Sequence, residues 1–262
     1  ITWTITVTPS TYEMKQPVNA GAMFIGTAIN KSNSDERKQY FIGHDQEGNE
    51  VLGTLTNFAF NSESGWVNDE LIISGNSHVE IPVQPLANNA KYGFTLDIEF
   101  TSKQIGVPDA EVLTLWNNET NCGIKITTEK LILQSSNGNK CDLYFTDNER
   151  THVMFIIDRQ ELKAKIYLNG VMCEAFHLND YTVDGVAYLD DFTVNSNIVL
   201  GGLNKNGYCK IRNLRVYQVA LTTDEIINNF ISCEIDKGKQ RELVEFQKGN
   251  DLPTLYVYCD FS

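Results

Sequence analysis

The chain is short of positive charge. Its 262 residues carry 21 Lys and Arg against 34 Asp and Glu, a net charge of −13. Reading nucleic acid needs a basic face to neutralise phosphates, and an anionic membrane surface makes the same demand, so neither is an expected partner. No apolar run approaches the ~18 residues of a membrane span, so membrane insertion is not expected. Cysteine is too sparse for a disulfide scaffold: the 6 residues form no C-x-x-C pair. The 4 histidines, 44, 78, 152 and 177, have no partner at metal-ligand spacing and read as ordinary strand and loop residues. No nucleophilic triad, Rossmann fingerprint or kinase signature is present, and Gly201-Gly202 lacks the surrounding phosphate-loop pattern. There is no low-complexity tract and no internal repeat.

What is present is globular: 42% hydrophobic residues, 10% of all residues aromatic. The length fits one large domain, or one plus a small appendage, at about 100–200 residues per domain. Short alternating segments recur, with turn signals between them. In Gly93–Phe100 the apolar Phe94, Leu96, Ile98 and Phe100 point one way and Thr95, Asp97 and Glu99 the other. Segments 111–116, 123–127, 130–134, 164–168, 171–176, 198–200 and 209–217 read the same way. Thr151–Ile157 is apolar on both faces, as a central strand would be. Asn169-Gly170 lies between two such runs and predicts a hairpin turn, because both central residues need φ > 0. The one clear helix signal is the capping box Thr222-Thr-Asp-Glu225, with Leu221 and Ile226 at the staple positions and Ile226, Ile227 and Phe230 as an apolar face. Many short antiparallel strands and one helix near 222–232 predict an all-β, two-sheet antiparallel sandwich or jelly roll.

The ends differ from the middle. Residues 1–45 hold two strand-like runs followed by the polar stretch Asn30–Gln39, and read as an arm or a partial β-domain. The sandwich is expected over 46–232, and 233–262 as a connector to a following domain. A start without Met, basic segment or cleavage site predicts an excised fragment or a mature chain. Cys122, Cys141, Cys173 and Cys209 lie in or beside apolar runs and are expected as buried free thiols, with one or two disulfides as the alternative.

Three blocks together carry a family resemblance. The first runs from Gly65-Trp66 through Leu71–Gly75 and His78–Pro82 to Phe94–Phe100. The second is Arg150–Phe155 with Lys165–Gly170. The third runs from Leu200-Gly201 through Ile211–Tyr217 and Ala220–Thr222 to Glu225-Ile226. Over about residues 50–232 the chain resembles the laminin-G-like, concanavalin A-like lectin-glucanase jelly rolls. The wording of Gly53–Phe60, Ser64–Trp66, Asp147–Arg150 and Leu252–Leu255 is similar to members in phage fibres and appendages and in bacterial surface proteins. The resemblance implies a virion or extracellular surface location.

Asp97 and Glu99 are the attractive carboxylate pair. On one strand face, about 6–7 Å apart by strand rise, they fall within the span of paired-carboxylate glycosidases. Laminarinase-type members of the fold carry Glu-x-Asp-x-Glu there. Here Thr95 stands where the nucleophilic Glu would be, so the expectation is a polar sheet face and no enzyme. Thr101 likewise replaces the Asp that a legume-lectin metal pair would require. No cofactor is expected beyond calcium, for which Asp184, Asp190 and Asp191 in the acidic connection 177–197 offer hard oxygens. Sugar binding needs exposed aromatics beside amides and carboxylates. Two places supply them: Trp116 with Asn117 and Asn118, and Tyr181 and Tyr188 with Asn204, Asn206 and Tyr208. Trp66 reads as a packing residue.

The sequence therefore points to a non-catalytic recognition or adhesion module whose partner is a host cell-surface glycan or receptor. The alternative is a structural spacer in a virion protein, contacting other virion subunits or further copies of itself. A divergent glycoside hydrolase is the third reading.

Overall fold

Alternation of apolar and polar residues becomes strands in the structure, a computed structural model that describes residues 17–83, 93–103, 110–117, 122–134, 140–144, 149–161, 163–177, 182–183, 186–187, 197–202, 207–235, 242–246 and 255–259. The strands are β1 (Ala22–Thr27), β2 (Tyr40–His44), β3 (Glu50–Thr56), β4 (Gly65–Val67), β5 (Glu70–Gly75), β6 (His78–Ile81), β7 (Gly93–Lys103), β8 (Glu111–Asn117), β9 (Cys122–Thr127) and β10 (Lys130–Gln134). They continue as β11 (Lys140–Tyr144), β12 (Arg150–Asp158), β13 (Lys163–Leu168), β14 (Val171–His177), β15 (Thr182–Val183), β16 (Val186–Ala187), β17 (Ile198–Leu200) and β18 (Gly207–Tyr217). Helix α1 (Thr223–Ile235) follows, then β19 (Glu242–Phe246) and β20 (Leu255–Cys259), which pair with each other.

Hydrogen bonding joins most strands in one antiparallel path, β11-β10-β9-β8-β17-β6-β3-β2-β1-β18-β7-β12-β13-β14, with β4 and β5 attached through β18. The path crosses between the two layers at β1 and β2, where Ile25–His44 and Gly26–Gly43 are the registered pairs. Phe24 explains the glycines. A Cβ at either Gly26 or Gly43 would run into its ring, so the pair opens the space in which Phe24 meets Phe41 edge-on at 5.6 Å. The long strand β18 organises one layer: its first half pairs with β5, its second half with β1, and β7 lies along its other edge.

The core sits between the layers. Phe94, Leu96, Ile98 and Phe100 of β7, Val153 and Phe155 of β12, and Leu214 and Val216 of β18 share one buried cluster with Val79, Ile81, Leu115, Ile124 and Ile126. The molecule is thus the expected all-β antiparallel sandwich, with α1 as its helix among the described residues. Trp66 is the expected packing residue: it is buried, edge-on to Phe41, with its indole N–H donated to the Lys38 carbonyl at 2.7 Å. The capping box also forms. The Thr222 amide donates to Glu225 Oε2 at 2.8 Å, and the Glu225 amide to Thr222 Oγ1 at 3.4 Å. Asn169 and Gly170 take φ of 49° and 79° and join β13 to β14.

Within residues 1–45, β1 pairs with β18, and β2 with β1 and β3, so these strands belong to the main sheet. The polar stretch 30–39 is a run of tight turns fixed by side chains, with Asp35 accepting from the Ser32 amide at 2.9 Å and Asn33 from the Trp66 amide at 2.7 Å. Cys173, expected as buried, is exposed. It lies on β14, the last strand of the path, whose Val171 and Met172 are 66% and 53% exposed. An apolar run on an outer strand looks like core in sequence but lacks a second layer to cover it. Cys209 and Cys233 are buried free thiols, and the side chains of Cys122 and Cys141 lie outside the described residues.

Candidate functional site

Chemistry concentrates where three central strands turn their second face outward. Register places Asn213 opposite Glu99 and Arg215 opposite Asp97 across β18 and β7. It places His152 opposite Glu99 and Met154 opposite Asp97 across β12 and β7. Because side chains alternate, these residues share the face opposite the core. Helix α1 lies on that face: Ile226 packs with Met154, Ile156, Tyr167 and Tyr217, and Phe230 leans on the same cluster. The pair Asp97 and Glu99 is polar as expected, but it is not an open sheet surface. Asp97 is 0% exposed and Glu99 1%.

Every charge here has a partner. His152 Nε2 donates to Asp97 Oδ1 at 2.7 Å. Asp97 Oδ2 accepts from Asn229 Nδ2 at 2.9 Å and from Arg215 Nη1 at 3.3 Å. Arg215 also donates to the Asn229 carbonyl at 3.1 Å and to Ser232 Oγ at 3.0 Å, so it is bonded to α1 at two points. Glu99 accepts from Asn213 Nδ2 at 2.6 Å and pairs with Arg150 at 2.8 Å. The Phe230 ring stacks on His152 with centroids 5.5 Å apart.

The electrostatics follow from burial and pairing. Burial alone would push the Asp97 pKa up, but His152 and Arg215 overcome it and hold the carboxyl below its ordinary value. Burial would lower the His152 pKa, yet Asp97 and the Cys233 sulfur raise it to about 10, so the imidazole is charged at neutral pH. Burial pushes the Tyr217 phenol up, which keeps it a neutral partner for Asn229 at 3.0 Å. This arrangement can fasten a helix to a sheet. Its carboxylates are shut off from solvent and already charge-paired.

No family model matches the sequence, and no curated protein does. Solved structures do resemble it. A mutant sialidase of Trypanosoma rangeli displaying trans-sialidase activity superposes with a TM-score of 0.57 at 13% identity, over 84% of this chain and 34% of that one. The botulinum neurotoxin serotype D binding domain gives 0.55 at 16% identity, over 83% and 52%. The binding domain of Paraclostridial Mosquitocidal Protein 1 gives 0.53 at 16%, over 81% and 52%. The chain therefore spans about a third of the sialidase and about half of the toxin domains. What is shared at these identities is the fold, an antiparallel β sandwich.

Of the residues expected to bind sugar, Trp116 and Tyr208 have described side chains, and these two lie apart. Trp116 is half-buried near the end of β8, with Lys125 Nζ 4.9 Å from its ring centroid and Lys125 paired to Glu111 at 2.9 Å. One face of the indole is thus taken. Asn117 is the last residue of β8, opposite Cys122. Tyr208 is half-buried on β18, opposite Ser74 and Lys103. Its neighbour Gly207 abuts Ala110, just before β8, so about 20 Å of extended strand separates Tyr208 from Trp116. The structure does not bring the two together. Asn118, Tyr181, Tyr188, Asn204 and Asn206, and the calcium candidates Asp184, Asp190 and Asp191, lie outside the described residues. Among the described residues no group of three His, Cys, Asp or Glu is placed to hold a metal ion.

The network itself escaped the sequence reading apart from Asp97 and Glu99. A signal was there: polar residues at alternate positions on three strands that are otherwise apolar, Thr95–Glu99, His152, and Asn213 with Arg215. Asn229 and Ser232 then follow Glu225 at helical spacing, next to the apolar Ile226 and Phe230.

Proposed function

We propose that the chain is a non-catalytic recognition module that binds a cell-surface receptor or glycan. One observation carries the non-catalytic half: the sandwich's paired carboxylates, Asp97 and Glu99, are buried and neutralised beneath α1. A general acid or base must reach a proton on its substrate, and these two are occupied in holding structure. The fold's likeness to toxin binding domains supports the recognition half by analogy of fold. Within this reading the module sits on an extracellular surface, a phage fibre or other virion appendage being the setting that the sequence resemblance favours. A glycan array probed with the purified chain, with calcium and with EDTA, tests it. Binding to defined saccharides is expected, and loss in EDTA, restored by calcium, would show that calcium takes part. A blank array together with sugar release from β-glucans or mucins would overturn it.

A second reading has its own observation. The outer strand β14 exposes Val171 and Met172, and β11 exposes Tyr144 at 65%. Apolar outer strands suit contacts with other subunits, as in a spacer domain of an assembled fibre. A stable trimer in solution-mass measurements supports that reading, and a monomer counts against it.

A further inference from the structure

We infer that the saccharide seat of this module is the cavity between the 31–38 turns and the outer face of β2, and that it takes an uncharged pyranose. The inference rests on the recognition reading above and adds to it a place and a ligand class.

The cavity has a volume of about 360 Å³. That lies within the ~300–1,000 Å³ typical of small-molecule sites. Tyr40 and Ile42, one residue apart on β2, line it, together with Trp66. Phe41 between them points the other way into the core. The turn folds back over this face and brings Lys31, Asp35, Glu36, Arg37 and Lys38 to the opening. A partly exposed tyrosine beside groups of both signs is what a pyranose needs. Its C–H face packs on the ring, and its hydroxyls both donate and accept.

Much of the wall is fixed in advance. Arg37 forks onto Glu50 with bonds of 2.9 and 2.8 Å. Lys38 lies over the Phe60 ring at 5.2 Å, and its carbonyl holds the Trp66 indole. Asn33 ties the turn to the Trp66 amide and to the Asn61 carbonyl at 2.9 Å. A turn pinned at this many points loses little freedom when a ligand arrives. Two side chains at the opening make no direct polar bond. Among the described residues those of Lys31 and Glu36 have no hydrogen-bond or ion-pair partner, and Lys31 acts on Glu50 only through space. In the seat Lys31 donates to one sugar hydroxyl and Glu36 accepts from another. With Arg37 neutralised by Glu50, Lys31 and Lys38 balance Asp35 and Glu36, so the opening is near neutral and suits an uncharged sugar.

The test is an array of neutral, sialylated and sulfated cell-surface glycans probed with the full chain, followed by titration of the strongest-binding saccharide into variants. Lys31→Ala and Glu36→Ala change side chains outside the core, and unchanged thermal unfolding verifies their fold. Each is expected to weaken binding by about tenfold or more, the scale of a charge-assisted hydrogen bond. Tyr40→Ala is expected to weaken it at least as much, and Trp116→Ala and Tyr208→Ala to leave it unchanged. If the wild-type chain binds a glycan and the Lys31 and Glu36 variants bind it equally well, the seat is overturned and the recognition reading stands. Binding confined to sialylated or sulfated glycans overturns the ligand class. A blank array with the wild-type chain removes the glycan as ligand, and the seat with it, while recognition of a protein receptor is untouched.

Discussion

Asp97 shows how one residue is committed by its surroundings. Its two oxygens accept from His152, Asn229 and Arg215, drawn from β12, α1 and β18. Taking such a carboxylate away leaves a charged guanidinium and a charged imidazole buried without their counter-ion. Breaking a buried pair by removing one partner costs about 3–5 kcal/mol, far more than the pair contributes relative to apolar packing. Asp97→Ala should therefore lower the unfolding free energy by about that amount, measured by urea denaturation at pH 7. The Arg37–Glu50 fork offers the contrast. It is equally well formed, but its side chains are 47% and 45% exposed, and water competes for both ions. Arg37→Ala should leave the urea midpoint where it is. Geometry is similar in the two cases, and burial decides the outcome.

At the scale of elements, α1 is held twice: by its own cap, and by polar side chains reaching down into the sheet. The cap was legible in the sequence, because Thr222 and Glu225 are local and their spacing alone defines the motif. Thr222→Ala should cost about 0.5–2 kcal/mol in chemical denaturation. The strands were legible for a similar reason, since alternation is a local pattern. The face that α1 covers was not. Asn229 meets Asp97 across 132 positions of sequence, Arg215 meets it across 118, and nothing local announces either pairing. The polar turn at 30–39 was hidden differently. Its composition is that of a linker, and only the bonds from Asn33 and Asp35 make it a fixed wall. Trp116 had the opposite problem. An aromatic among asparagines suggested a sugar platform, and Lys125, brought alongside by the β8–β9 pairing, takes one face of its ring. Asn229 is the polar fastening most open to test, because it also accepts from the Val18 amide at 2.8 Å and so ties in the segment before β1. Asn229→Ala should speed hydrogen exchange across α1 while amides of β7 and β12 keep the protection of the global core.

For the molecule as a whole, the same network makes stability depend on pH on both sides of neutrality. The Asp97 pKa is held below its unfolded value, so its contribution is present above the ordinary carboxylate range and is lost as acid protonates it. His152 works in the other direction. Its pKa rises from 6.5 in the free side chain to about 10 in the fold. Below pH 6.5 both folded and unfolded chains carry the proton, and the stabilisation is fully present. Between 6.5 and about 10 the folded chain holds a proton that the unfolded chain has lost, so unfolding releases it and stability falls as pH rises. Cys209 adds to this decline only higher up, because burial pushes its pKa from 9.0 to about 12. His152 of β12 is acted on by Asp97 of β7 and Cys233 of α1, so the titration reports on the packing of three elements and not on one strand. Urea unfolding at pH 6, 7 and 8 should give a steadily decreasing free energy for the wild-type chain. His152→Gln keeps a donor toward Asp97 but carries no titrating proton. Its stability should be lower at pH 6 and nearly flat across that window. A wild-type curve equally flat would mean that His152 is neutral in the fold, and that Asp97 relies on Arg215 and Asn229 alone.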